Sequence, residues 1–217
     1  MKYDICAIGN ALVDTQYMVS YEFLESIGLE ADQMTLVSAE EQNEITAKLE
    51  KLGLKSISDC GGSATNSLVA SSSYGAKCHH VCRVSKDDDG VRYLDSLKNA
   101  DVYHKGFGEG HLDLPTGKCL ILVTPDAKRT MVSMLGVSAF LWSKDLDLKA
   151  IANSKIFYIE GYMVTSDENF NAVIKNGDIT YPPPKIEVSV TPTVQEKEPE
   201  KLQPVIDKKD SLFPGLI

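Results

Sequence analysis

Hydrophobic positions along this chain switch between a two-residue rhythm and a three-to-four-residue rhythm, which separates strands from helices. Residues 2–9 alternate apolar and polar and then run apolar into Gly9, predicting a buried first strand. Residues 13–19 (Val-Asp-Thr-Gln-Tyr-Met-Val) predict a second short strand. Ser20 then caps a short helix over 21–27 that Gly28 ends. Residues 33–37 predict another strand, and Ser38-Ala39-Glu40-Glu41 reads as a capping box. It opens a helix over 39–52 with Ile45, Leu49 and Leu52 on one face and Gly53 at its end.

Past Gly61-Gly62 a helix is predicted over 64–74, its small residues Ala70, Ser71, Ser72 and Ser73 suited to close packing and Gly75 its C-cap. Strand 78–84, helix 87–98 and strand 101–104 follow. Strands 117–124 and 129–134 pair through the turn-forming Thr124-Pro125-Asp126-Ala127-Lys128. Helix 145–152, strand 155–159 and a helix starting near Ser166 come next. Strands alternating with helices indicate an α/β fold with a largely parallel sheet. Strands 13–19, 33–37, 117–124 and 129–134 break that rhythm and predict a small β-sheet lid.

Composition divides the chain near Lys175. Seven of the nine prolines lie in 182–217, and 187–209 mixes acidic and basic residues with almost no aromatics. Such a stretch buries too little apolar surface to offset its ordering entropy. The expected organisation is a folded part over 1–174 and an extended or disordered tail over 175–217.

At 217 residues and 43% hydrophobic content the chain can build a real core. A net charge of −9 argues against nucleic acid as a partner, since phosphate neutralisation needs clustered Lys and Arg. No apolar run reaches eighteen residues, so no membrane span is expected, and the N-terminus lacks an apolar leader and cleavage site. A cytoplasmic location is the resulting expectation. Five scattered cysteines fit reduced, buried thiols. Cys78-His79-His80-Val81-Cys82 resembles a zinc string, but on a strand alternate side chains face opposite sides and do not converge on one metal. A core strand with two half-exposed histidines is expected there, and no metal ligand is assigned.

Two segments carry candidate chemistry. In Gly61-Gly62-Ser63-Ala64-Thr65-Asn66, the glycines allow a tight approach that brings backbone amides at a helix N-terminus against a polar ligand. Asn66, one turn into that helix, offers both a donor and an acceptor to a sugar hydroxyl. Asp14 sits five residues after Gly9, and a carboxylate that accepts two hydrogen bonds suits a vicinal diol.

Together, Gly9-Asn10-x-x-x-Asp14 and Gly61-Gly62-x-x-x-Asn66 resemble the PfkB-type, ribokinase-like carbohydrate kinase family, and most closely its adenosine and nucleoside kinase branch. The resemblance also takes in Thr116-Gly117-x-Cys119, Asp126-x-x-Arg129-Thr130-Met131 and Tyr158-Ile159-Glu160-Gly161-Tyr162, and so spans residues 1 to about 174. It implies a three-layer αβα sandwich with a β-sheet lid. It also implies that Asp14 binds sugar hydroxyls with Gly62 and Asn66, that Asn10 and Gly61 shape the same pocket, and that Arg129 and Met131 belong to the lid strand over the substrate. ATP with Mg²⁺ is the implied phosphoryl donor, and a sugar or nucleoside the implied acceptor. Arg83-Val84-Ser85 departs from the family, which has glycine near this position, so altered packing is expected there.

The larger departure is late in the chain. The family's catalytic base sits in a Gly-Ala-Gly-Asp loop whose amides form an anion hole. Here Asn176-Gly177-Asp178 runs into Ile-Thr-Tyr-Pro-Pro-Pro, which cannot continue as the required helix. Gly106-x-Gly108-x-Gly110 precedes Pro115 with no helix between, and reads as a connection to the lid. The leading expectation is therefore a kinase-family chain truncated in its C-terminal half, with no catalytic residue of its own and with strand 155–159 left as a sheet edge. The alternative is a noncatalytic nucleoside-binding or assembly module, with the lid sheet as a surface for a homodimer.

Overall fold

Two five-stranded sheets form among the residues described in the computed structural model, which are 2–108, 113–175 and 185–187. In chain order the first elements are β1 (Tyr3–Ile8), β2 (Leu12–Met18), α1 (Tyr21–Ser26), β3 (Met34–Leu36), α2 (Ala39–Lys51), β4 (Ser56–Gly61), α3 (Ser63–Ser73) and β5 (Cys78–Val81). Next come α4 (Asp88–Asn99), β6 (Val102–His104), β7 (Gly117–Val123), β8 (Arg129–Met134), α5 (Leu148–Ala152), β9 (Ser154–Ile159), α6 (Asp167–Lys175) and β10 (Lys185–Glu187). Short 3-10 turns at Gly136–Phe140, Ser143–Asp145 and Gly161–Thr165 join the later ones.

The larger sheet has the order β10-β9-β1-β5-β6, and every pair in it is parallel. A parallel sheet must be covered on both faces, and the side-chain alternation of β1 shows how this happens. Ala7 turns to a core with Leu68 of α3 and Tyr93 and Leu97 of α4. Cys6 and Ile8 turn the other way, to Ile151 of α5, Leu141 and Met163. Helix, sheet and helix thus form the αβα sandwich. The second sheet, β3-β8-β7-β2-β4, mixes parallel and antiparallel pairs and buries one face under α1 and α2 through Leu24, Ile45, Leu49, Leu120, Leu122 and Val132. The expected capping box at Ser38 and Glu41 is formed. Gln42 of α2, buried, donates to the carbonyls of Lys118 and Val132 at 3.1 and 2.9 Å and ties that helix to the lid strands.

Several expectations give way to the tertiary structure. The lid contains a fifth strand, β4, where no element was expected. It is an outer strand with four exposed residues and Ile57 75% exposed, so it carries no alternation to read. Within α3, Ala70 and Ser73 are exposed and Ser71 and Ser72 half-buried, and a tight approach lies at the other end of the helix. It is at Ala64, whose Cβ leaves no room for a side chain on Gly9. His79 and His80 are not half-exposed but 4% and 1% exposed. The helix expected over 145–152 is a 3-10 turn followed by α5, because Asp147 caps the latter through the Ala150 amide at 2.9 Å. Strand β9 is not an edge, since β10 pairs with it in parallel through Lys185–Glu187. Apart from these three residues, the tail beyond Lys175, including Asn176-Gly177-Asp178, lies outside the described residues.

Arg83, the departure noted in the sequence, turns inward. It is 1% exposed, donates to Asp145 at 2.6 Å and lies 4.2 Å over the Trp142 ring. Gly108 packs against its aliphatic stem, where a Cβ would approach within 2.6 Å. No described helix is long and apolar enough to cross a membrane.

Candidate functional site

A cavity of about 320 Å³ opens between the uncovered face of the lid and the carboxyl ends of β1 and β9. Ligands in open α/β sheets bind beyond the carboxyl ends of the strands, so its place follows from the fold. One wall comes from alternate lid residues: Asp14 on β2, Cys119 and Ile121 on β7, and Arg129, Met131 and Ser133 on β8. Asp14 is opposite Cys119, Cys119 opposite Ser133, and Ile121 opposite Met131. The register therefore places these side chains on one face. The other wall comes from Asn10 after β1, Gly62, Ser63 and Asn66 at the start of α3, and Glu160 and Tyr162 after β9.

Six of the seven residues singled out in the sequence (Asn10, Asp14, Gly62, Asn66, Arg129 and Met131) line this cavity. Gly61 stands directly behind. A Cβ there would lie 2.1 Å from Asp14 Oδ2, and its carbonyl accepts from the Tyr93 hydroxyl at 3.2 Å. Gly62 has φ +100°, and a Cβ would lie 2.3 Å from the Asn10 carbonyl oxygen. As the N-cap of α3 it brings no side chain to the first turn, which leaves that helix end open toward the cavity.

Electrostatics single out Asp14. Burial pushes its carboxyl up to about 6; Arg129 pulls the value down and Asp59, opposite on β4, pushes it further up. The pocket thus holds a carboxylate poorly supplied with protein donors, which favours a ligand that brings hydroxyl donors. The Cys119 thiol is pushed up to about 11 by burial and stays protonated. Asn10 is more committed: its side-chain oxygen accepts from Ser138 Oγ and from Asn169 Nδ2, both at 3.2 Å. It shapes the pocket floor through this buried polar cluster, which Asn169 extends to the Leu141 amide at 2.8 Å.

The cavity has two characters. Its lining combines the polar Asp14, Asn66, Arg129 and Gly62–Ser63 with the apolar Met34, Leu36, Ile121, Met131, Leu135 and Tyr162. Such a site accepts a molecule with a polyhydroxyl part and a flat or apolar part. Two shallower depressions, along α4 near Arg92 and beside Trp142 and Lys144, gather no comparable set. The described residues contain no cluster of three metal-ligating side chains. No helix start follows the Gly106–Gly108 stretch before β7 among the described residues.

Glu160, Ser63, Cys119, Ser133 and Tyr162 also line the cavity, beyond the site residues expected from the sequence. Strand parity from Asp14 and Met131 pointed to Cys119 and Ser133 once the register was known. A charged residue between the apolar strand β9 and Gly161 was the available signal for Glu160.

A family described as pfkB family carbohydrate kinase matches residues 24–181. The adenosine kinase of Saccharomyces cerevisiae is 27% identical over 183 residues, covering 82% of this chain and 52% of that protein. A mouse ribokinase is 32% identical over 95 residues, 44% of this chain and 29% of that protein. The solved adenosine kinase of Sinorhizobium meliloti superposes with a TM-score of 0.71 at 28% identity, covering 81% of this chain and 52% of that one. The chain spans about half the length of the adenosine kinases it matches, and less of the ribokinase.

Proposed function

The chain belongs to the pfkB family of carbohydrate kinases, and from that premise we propose that residues 1–174 are the substrate-binding and lid part of an adenosine-kinase-like nucleoside kinase. The observation that carries this reading is the two-character cavity. Asp14 brings to it a carboxylate in need of donors, and Gly62, Asn66, Ile121, Met131 and Tyr162 line the same cavity. In this arrangement Asp14 accepts two ribose hydroxyls, Asn66 and the Gly62 backbone orient the sugar, and Met131, Ile121 and Tyr162 contact the base. Arg129 closes the charge balance from the lid. A nucleoside uses both parts of the site, whereas a free sugar uses one.

The reaction of the family is phosphoryl transfer from ATP to a sugar hydroxyl, for which Mg²⁺ is the expected metal. The 217 residues contain no Gly-Ala-Gly-Asp string, whose carboxylate and amides the family's chemistry uses. We therefore assign the chain by itself binding without turnover. Calorimetric titration with adenosine and with ribose, followed by an ADP-release assay with ATP and Mg²⁺, tests both parts. Heat with adenosine and none with ribose is expected. No heat with either ligand removes the binding reading. ADP release at roughly one per second or faster, ordinary for kinases, removes the assignment of inactivity. The uncovered outer strands of the lid, with Ile57 exposed on β4, favour a homodimer through that sheet. Sedimentation of the Ile57→Lys variant as a monomer beside a dimeric parent is the expected result.

A further inference from the structure

Glu160 is the most deeply buried carboxylate in the cavity wall, 3% exposed, and burial raises its pKa above the ordinary value. A charge in that position needs donors, and three protein groups supply them. The Asn10 amide donates to Oε2 at 2.6 Å, the Ser63 amide donates to Oε1 at 3.3 Å, and the Ser63 hydroxyl donates to the same oxygen. These donors come from two separate parts of the site: the loop leaving β1 and the first turn of α3. Glu160 itself follows β9, whose residues run beside β1 from Tyr3 opposite Ser154 to Ile8 opposite Ile159. One carboxylate therefore pins together the ends of two adjacent parallel strands and the start of the helix that faces the ligand. Gly9 leaves the room: a Cβ there would lie 2.5 Å from Glu160 Oε2 and 2.5 Å from the Ala64 Cβ.

We propose that Glu160 is a positioning residue for this site, a three-donor brace that fixes the Asn10 loop and the Gly62–Ser63 turn of α3 in the conformation that receives the sugar. It acts through the backbone it holds, and three of a carboxylate's roughly four acceptor positions are already taken by protein donors. This rests on the nucleoside-binding reading above. In the Glu160→Gln variant an amide N–H₂ must face the Asn10 or the Ser63 N–H. One brace contact becomes donor against donor, and the loop and the helix start lose their common anchor.

The test uses the full chain, ¹⁵N-labelled, with four ligands: adenosine and its 2′-, 3′- and 5′-deoxy analogues. A brace predicts that Glu160→Gln keeps a cooperative melting transition, weakens all four ligands by the same factor of roughly ten or more, and moves the amide resonances of Asn10 and Ser63 upfield in the ligand-free protein. Unchanged adenosine affinity in a folded variant overturns the proposal. So does a loss that disappears for one deoxy analogue, because Glu160 then contacts that hydroxyl directly. Should Glu160→Gln fail to fold, Ser63→Ala removes one donor and leaves the carboxylate in place. A smaller loss, uniform across the ligands, supports the brace, and unchanged affinity overturns it. If the parent chain binds none of the four, the nucleoside reading falls, and the amide resonances still decide the brace: signals unmoved by Glu160→Gln reject it.

Discussion

Replacing Asp14 by Asn should make this protein more stable at pH 7.5 and at the same time a weaker binder of its ligand. The carboxyl is pushed from the ordinary 3.8 to about 6 chiefly by burial. The ionised form is therefore the strained one, and the folded state carries that cost wherever the unfolded chain would ionise freely. The group's contribution favours folding least at high pH and recovers as pH falls through 6 toward 4. A displacement of this size corresponds to about 3 kcal/mol at pH 7.5. The carboxyl is partly open to the cavity, and solvent screening reduces the figure to ~1–2 kcal/mol. For a chain of this length that is a rise of roughly 2–8 °C in melting temperature. At pH 5 the parent carboxyl is largely protonated, and about half of the advantage of the Asp14→Asn variant should be gone. The amide keeps one acceptor but loses the charge-assisted pair with the ribose diol, so adenosine affinity should fall roughly tenfold to hundredfold. Thermal melts at pH 7.5, 5 and 4, with calorimetry at pH 7.5, measure both effects. A variant less stable than the parent at pH 7.5, or a gain that does not shrink on acidification, would show that Asp14 is held by protein donors and not waiting for a ligand.

Other consequences of the structure are equally open to measurement. His80 is fully buried and its pKa is lowered to about 3 by burial, with His79 and His104 adding to the shift, so the folded state keeps it neutral. Its contribution to stability is complete above the ordinary value of 6.5 and is lost as pH falls below it, at about 1.4 kcal/mol per pH unit. Urea midpoints at pH 7, 6 and 5 should drop less steeply in His80→Leu, and equal slopes refute the assignment. Gly62→Ala must either abandon φ +100° or push aside the Asn10 carbonyl, and should cost at least ~1–3 kcal/mol in denaturant melts. Gly61→Ala places its methyl on the Asp14 carboxylate, so calorimetry should show ligand binding lost while the melting transition persists. Thr116 donates through its amide at 2.8 Å and its hydroxyl at 2.6 Å to Asp87, the cap of α4, and accepts from the Ser85 amide at 3.0 Å. Thr116→Val keeps the shape and the backbone bond and should cost ~1–3 kcal/mol at the root of the lid, with Thr116→Ser restoring most of it.

Local features of the chain were legible wherever the cause was local. Ser20 and Ser38 act within their own first helical turn, so the starts of α1 and α2 followed from local residue types. Period-two alternation gave β1, and the Thr124–Lys128 turn marked the β7–β8 pair. Two glycine-led strings fifty residues apart marked four lining residues of one cavity, Asn10, Asp14, Gly62 and Asn66, because such strings fix backbone shapes that each segment imposes on itself. What depended on a partner distant in sequence stayed hidden. β4 is a strand only because β2 offers it an edge, with Asp14 opposite Asp59, and its own residues face water. β10 pairs with β9 through backbone hydrogen bonds, which leave no mark in residue type. Arg83 reads as a surface cation until Asp145 and Trp142, some sixty residues later, enclose it. Glu160 reads as a charge at a strand end until it meets an amide 150 positions away in sequence. Hydrophobic period and capping chemistry act over a single turn or pleat, whereas burial, register and the pairing of a buried charge exist only once distant strands lie side by side.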